Sequence, residues 1–297
     1  MPTRSRTVAL ATTFALSTVL TLGAVAQAGT TKLVRDIEPN GSSTPVGFQG
    51  MKGKIYFSAR TDAYGRELWK SDGTWKGTKL VRNIAPGTAG SEPSDLTHVQ
   101  GTMFFVASTP QTGRELWKTD GTWKGTKLVR DILPGPGGSR PYDLTGYKGK
   151  LYFLSQSGSG PTQLWKSDGT RAGTKLVKRI ATVDAPDVPW LQRAGGLLYI
   201  NGHDRTHGME LWRSDGTPKG TRMLKDLLPG PQGASPREGV AAAGGKVLFS
   251  ARHRDGFELY RTDGTAKGTK LLRNITSGPA GSSPRWLTTV GKKAFFS

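Results

Sequence analysis

Cysteine is absent from all 297 residues, which removes disulfides, thiolate nucleophiles and cysteine-held metals together. Apolar residues make up only 35% of the chain, low for a globular enzyme. A repeat protein tolerates that, because each unit buries its faces on its neighbours. Acidic residues are scarce, 22 against 42 lysines and arginines, for a net charge of +20. After residue 28 no stretch sustains helical periodicity, and none approaches the ~20 apolar residues of a membrane span. G-x-S-x-G, H-E-x-x-H, the phosphate loop and the dinucleotide fingerprint are all missing.

What is present begins with a leader. Arg4 and Arg6 precede an apolar run from Val8 to Val25, and Ala26-Gln27-Ala28 fits a small-x-small cleavage site. The sequence therefore divides into a signal peptide, residues 1–28, and a repeat domain, residues 29–297. The expected location is secreted, periplasmic or cell-surface. No twin-arginine pair occurs, which favours general secretion.

The repeat is marked by Glu67-Leu68-Trp69-Lys70-Ser71-Asp72-Gly73-Thr74 and four further copies starting at Glu115, Gln163, Glu210 and Glu258. Its aspartates, Asp72, Asp120, Asp168, Asp215 and Asp263, are spaced 48, 48, 47 and 48 residues apart. Each unit reads as four short strands. A weak first strand follows a proline, as at Ser94–Val99. A second is apolar at consecutive positions, as at Met103-Phe104-Phe105-Val106, and so should be buried on both faces. The E-L-W segment is third, and the Lys79–Ile84 type, where charge enters, is fourth. β-Branched and aromatic runs punctuated by Gly, Pro, Asn and Asp give an all-β chain. Four strands in about 48 residues is the size of a β-propeller blade.

These motifs resemble the bacterial family of E-L-W-x-x-D-G-T repeat proteins, propeller-like and of the hyalin or kelch type. The companion segments G-T-K-L-V-R-D-I and P-G-x-x-G-S-x-P match too, so the resemblance covers residues 31–297. It implies an exported protein. Departures are Gln163 for Glu, Tyr260 for Trp, and a broken linker at Ala181–Pro186. Ser71-Asp72-Gly73-Thr74-Trp75 is also weakly similar to the structural Asp-box of sialidase-type propellers, a likeness that carries no sialidase chemistry.

Asp-Gly-Thr between strands is a turn signal, so the five aspartates are expected to be structural. Calcium is the alternative for them, although each turn offers one carboxylate where a hard cation wants six to eight oxygens. No other cofactor or metal is expected. Trp69, Trp117, Trp165, Trp212 and Tyr260 recur at one phase and are expected to fill the space between blades. Basic residues also recur by phase, among them Lys70, Lys118 and Arg213 after the aromatic, and Arg82, Arg130, Lys178 and Lys225 in the fourth strand. The expectation is a rim and wall of positive charge, suited to an anionic polymer or to keeping edge strands apart.

Function tends to sit where loops escape the template. The loop before each E-L-W differs in every unit, and the fourth, Gly202–Gly208, carries His203, Asp204 and His207. His253 and Asp255 fall at a matching phase in the fifth. These five are the ligand-face candidates for metal or acid–base work.

The fourth-strand motif occurs six times, starting at Lys32–Ile37, and the second-strand motif six times, ending at Ala294-Phe295-Phe296-Ser297. E-L-W occurs five times. The expectation is six units with an incomplete last blade, in a piece of a longer protein. Since nothing nominates a catalytic pair, the leading expectation is a non-enzymatic binding or adhesion module for an envelope polymer or protein partner. The alternatives are an extracellular polysaccharide-acting enzyme or accessory subunit, and a purely structural scaffold.

Overall fold

A computed structural model describes residues 31–237, 240–254, 256–276, 278 and 281–297. The expected signal peptide lies outside the described residues, as does Asp255. The compact unit described below runs from Val34 to Ser297.

Five four-stranded antiparallel sheets follow one another along the chain, each a simple meander. The first comprises β1 (Val46–Met51), β2 (Lys54–Thr61), β3 (Gly65–Ser71) and β4 (Lys79–Arg82). The second comprises β5 (Ser94–Val99), β6 (Thr102–Thr109), β7 (Gly113–Thr119) and β8 (Lys127–Arg130). The third has β9 (Pro141–Tyr147), β10 (Lys150–Ser155), β11 (Thr162–Ser167) and β12 (Lys175–Ala181). The fourth has β13 (Leu191–Ala194), β14 (Leu197–Asp204), β15 (Gly208–Ser214) and β16 (Arg222–Met223). The fifth has β17 (Ala241–Ala243), β18 (Lys246–His253), β19 (Gly256–Thr262) and β20 (Lys270–Arg273). A two-stranded ribbon, β21 (Thr288–Val290) with β22 (Lys293–Phe295), ends the order. This is an all-β propeller with an incomplete sixth blade.

First strands stand side by side, β1 by β5, β5 by β9 and β9 by β13, so they form the inner edge. Second strands carry the core. Tyr56 and Leu68 of one sheet pack on Met103, Phe105 and Trp117 of the next. The same phase repeats where Phe104 and Leu116 meet Leu151 and Phe153. Odd and even positions of the second strand thus face opposite neighbours, which is why the run is apolar throughout. The first sheet shows the dependence on a neighbour. Ile55 is 50% exposed, whereas Met103, Leu151 and Leu198, in the same register, are 0% exposed.

Residues 32–37, read from the sequence as a fourth strand, form no strand. Arg35 nevertheless takes the position of an outer-strand basic residue, its guanidinium over Trp75 and bonded to the Thr78 carbonyl. Ile37 packs beside Phe57 and Trp69.

Several of the repeating basic residues are engaged between sheets. Arg82 donates to Thr126 O (2.5 Å), Arg130 to Thr174 O (2.7 Å), Lys178 to Thr221 O (2.7 Å) and Lys225 to Thr269 O (3.1 Å). Lys70 and Arg213 reach the next unit's turn at Gly121 O and Gly264 O. These six groups tie each sheet to the following one, while the hairpin-loop lysines Lys76, Lys124, Lys219 and Lys267 are exposed.

Candidate functional site

The Asp-Gly-Thr turns form identical hydrogen-bonded clasps. Oδ1 of Asp120 accepts from Thr122 N (2.8 Å) and Thr122 Oγ1 (2.7 Å), and Gly125 N donates to Thr122 Oγ1 (2.9 Å). The other four aspartates make the same bonds, and the threonine donors hold all five carboxyls below the usual range. A Cβ on Gly77 would lie 1.8 Å from Asp72 Oδ1, so glycine leaves the room the carboxylate fills. Among the described residues no three His, Asp or Glu side chains converge as a metal site. Of the phased aromatics, Trp69, Trp117 and Tyr260 are buried, while Trp165 and Trp212 are half-buried under Arg130 and Lys178.

The glutamate of E-L-W is a linker clamp that sequence reasoning missed. Glu115, fully buried, accepts from Leu133 N (3.1 Å), Ser139 N (2.8 Å) and Ser139 Oγ (2.6 Å). Glu67 and Glu258 hold their linkers through Ser91 and Ser282 in the same way. The linker also runs directly over the hairpin glycine: a Cβ on Gly65 would meet Thr88 O at 2.4 Å. In the third unit every part of this seat is replaced. Gln163 stands for the glutamate and bonds Trp165 Nε1 (2.9 Å) instead. Pro161 stands for the hairpin glycine, and Asp187 for the linker serine.

The unclamped linker, residues 182–189, carries Asp184 and Asp187 and borders two adjoining clefts. The first, about 540 Å³, is also lined by His203, Arg205, Ser235 and Arg252. The second, about 450 Å³, shares Asp187, Ser235 and Arg252 and adds Trp190, Arg237 and Phe257.

The Thr182 hydroxyl and then Arg205, at 3.0 Å, hold the Asp184 carboxyl down at about 2, so it is ionised. His203 Nδ1 lies 2.6 Å from Thr182 Oγ1. The Thr182 hydroxyl thus joins the imidazole to the Asp184 carboxylate.

The sequence candidates separate in the structure. His203 is in the cleft, but on β14 and with its ring buried, not in a solvated loop. Asp204 and His207 clasp the tip of the β14–β15 hairpin. Asp204 Oδ1 accepts from Thr206 N, His207 N and the His207 ring (2.9 Å). That bond raises the His207 pKa, and the two residues line neither cleft. His253, at the end of β18, lines neither cleft.

No family model and no curated protein matches the chain. Solved structures do. A prolyl endopeptidase matches with a TM-score of 0.51 at 13% identity, over 86% of this chain and 38% of that one. The β-propeller domain of the Trilobed protease from Pyrococcus furiosus matches at 0.49 and 10%, over 86% and 79%. Puromycin hydrolase matches at 0.46 and 13%, over 87% of this chain and half of that one. This chain therefore spans half the length, or less, of two of these enzymes, and at such identities the likeness is one of fold. The expectation of a non-enzymatic binding or adhesion module is corrected. The structure matched at a TM-score above 0.5 is that of an enzyme, a prolyl endopeptidase, which lends a non-enzymatic role no support.

Proposed function

We propose that the chain is an extracellular enzyme acting on polysaccharide, with the paired clefts beside the third-unit linker as its site. One observation carries this reading. The unit in which glutamate, hairpin glycine and linker serine are all replaced is the unit whose freed linker sets Asp184 and Asp187 beside His203. Two open, polar, adjoining depressions suit successive units of a sugar chain better than one small apolar molecule. Glycosidic cleavage needs one group kept ionised and another that moves a proton. Asp184, held ionised, fits the first role; His203 and Asp187 are the groups left for the second. The leader-like N-terminus and the E-L-W-x-x-D-G-T resemblance support export.

A second reading, an accessory propeller serving a separate catalytic chain, is favoured by the small share of the matched enzymes that this chain spans. Release of reducing ends from a panel of neutral and acidic polysaccharides separates the two. The enzyme reading expects release by the wild type and a loss of about a hundredfold or more in His203→Ala or Asp187→Asn. No release by folded wild type, or unchanged rates in both variants, overturns it.

A further inference from the structure

Two arginines, Arg237 and Arg252, line the second cleft together with Asp187. The Arg237 guanidinium lies 3.5 Å from the centroid of Phe257, and that of Arg252 lies 5.6 Å from the same ring. Burial first, then the charges of Arg285 and Arg252, push the Arg237 pKa down. Arg237 Nη1 is buried and bonded to nothing among the described residues. No described carboxylate forms an ion pair with Arg237, Arg252 or Arg285. Like charges held together against their repulsion, one with a buried donor unused among the described residues, suit an anionic ligand. A guanidinium stacked on an aromatic face keeps its edge free, and that edge is the fork that grips carboxylate or sulfate.

We propose that Arg237 and Arg252 form a subsite for an acidic sugar, so that the polysaccharide bound in the clefts is anionic. This rests on the reading of the clefts as a polysaccharide site. It also differs from general attraction by a basic surface, because it assigns recognition to two residues on the Phe257 wall. Asp187 and Arg252, shared by both clefts, place the anionic sugar next to the sugar held beside His203.

Calorimetric titration of the full chain with three oligosaccharides tests the proposal: an oligogalacturonate, a sulfated oligosaccharide and a neutral oligogalactan. The expected result is binding of at least one acidic form, little binding of the neutral one, and affinity lowered about tenfold or more by Arg252→Gln. Arg222→Gln, which removes the same charge at an exposed position outside both clefts, is expected to change affinity less than twofold. The oligogalacturonate and sulfated arms tell whether carboxylate or sulfate is the group read. Equal binding of the neutral oligosaccharide, or equal effects of Arg252→Gln and Arg222→Gln, overturns the subsite. Acidic binding that needs Arg252 but gives no cleavage keeps the subsite and removes the enzyme reading. Cleavage of neutral polysaccharide that Arg252→Gln leaves unchanged does the reverse.

Discussion

Glu210 is fully buried with Oε2 unbonded, because Ala234 stands where the other clamps have a serine hydroxyl. Burial raises its pKa from 4.5 to about 7, with Asp226 adding to the rise, while the Leu228 and Ala234 amides oppose it. His207 and Tyr260 are the other titratable groups that feel its charge. The native state therefore binds a proton that the unfolded chain releases between about pH 4.5 and 7. Stability from this group is greatest below that window and falls by roughly 3 kcal/mol as pH rises through it. Ala234→Ser supplies the missing donor, and urea melts should show it stabilising by about 1–2 kcal/mol more at pH 8 than at pH 5. Equal effects at both pH values would show that the carboxylate is already satisfied. The turn aspartates behave differently, since their bonds are local and complete. Asp120→Ala leaves two donors to solvent and is expected to cost about 1–2 kcal/mol, with melting of the wild type unchanged by calcium or chelator.

At the scale of elements, the clamp decides which linkers are fixed and which is free. Glu115→Gln weakens the bonds to Ser139 and the Leu133 amide, and is expected to destabilise by about 2 kcal/mol while loosening residues 133–139 to hydrogen exchange. Unchanged exchange in that segment would contradict the clamp. Much of this level was legible in the sequence. The 48-residue period, the consecutive apolar positions of Met103–Val106 and the Asp-Gly-Thr turns fixed the sheets, because local chemistry sets them. The site was only half legible. Gln163 and the Ala181–Pro186 linker were visible as departures, but the meaning of Gln163 depends on the clamp that Glu115 makes with Ser139, 24 residues away, for which the third unit has Asp187. His203 stood out by residue type, as did Asp204 and His207, yet only the strand register sends His203 to Thr182 and leaves the other two at the hairpin tip. Arg252 and Phe257 pair across the β18–β19 hairpin, but Arg237 comes from the preceding linker, and nothing in its spacing announces that it meets them.

At the scale of the whole molecule, stability is passed from sheet to sheet. Met103 is enclosed by the preceding sheet, whereas Ile55 has no such neighbour among the described residues. Met103→Ala is expected to cost about 2–5 kcal/mol and Ile55→Ala less than about 1 kcal/mol in denaturant melts. Comparable losses would mean that the first sheet is covered after all. The charge of +20 also reads differently at this scale. Six of its phased members join carbonyls across sheets, and the arginines around Phe257 form a separate, partly buried cluster. The central claim is that function sits where the third-unit clamp is broken. Hydrogen–deuterium exchange of the intact chain, with and without saturating acidic oligosaccharide, tests it most directly. The account predicts protection confined to residues 182–190, 203–205 and 231–237. Protection spread over the basic outer strands, or centred on the Asp-Gly-Thr hairpins, would contradict it.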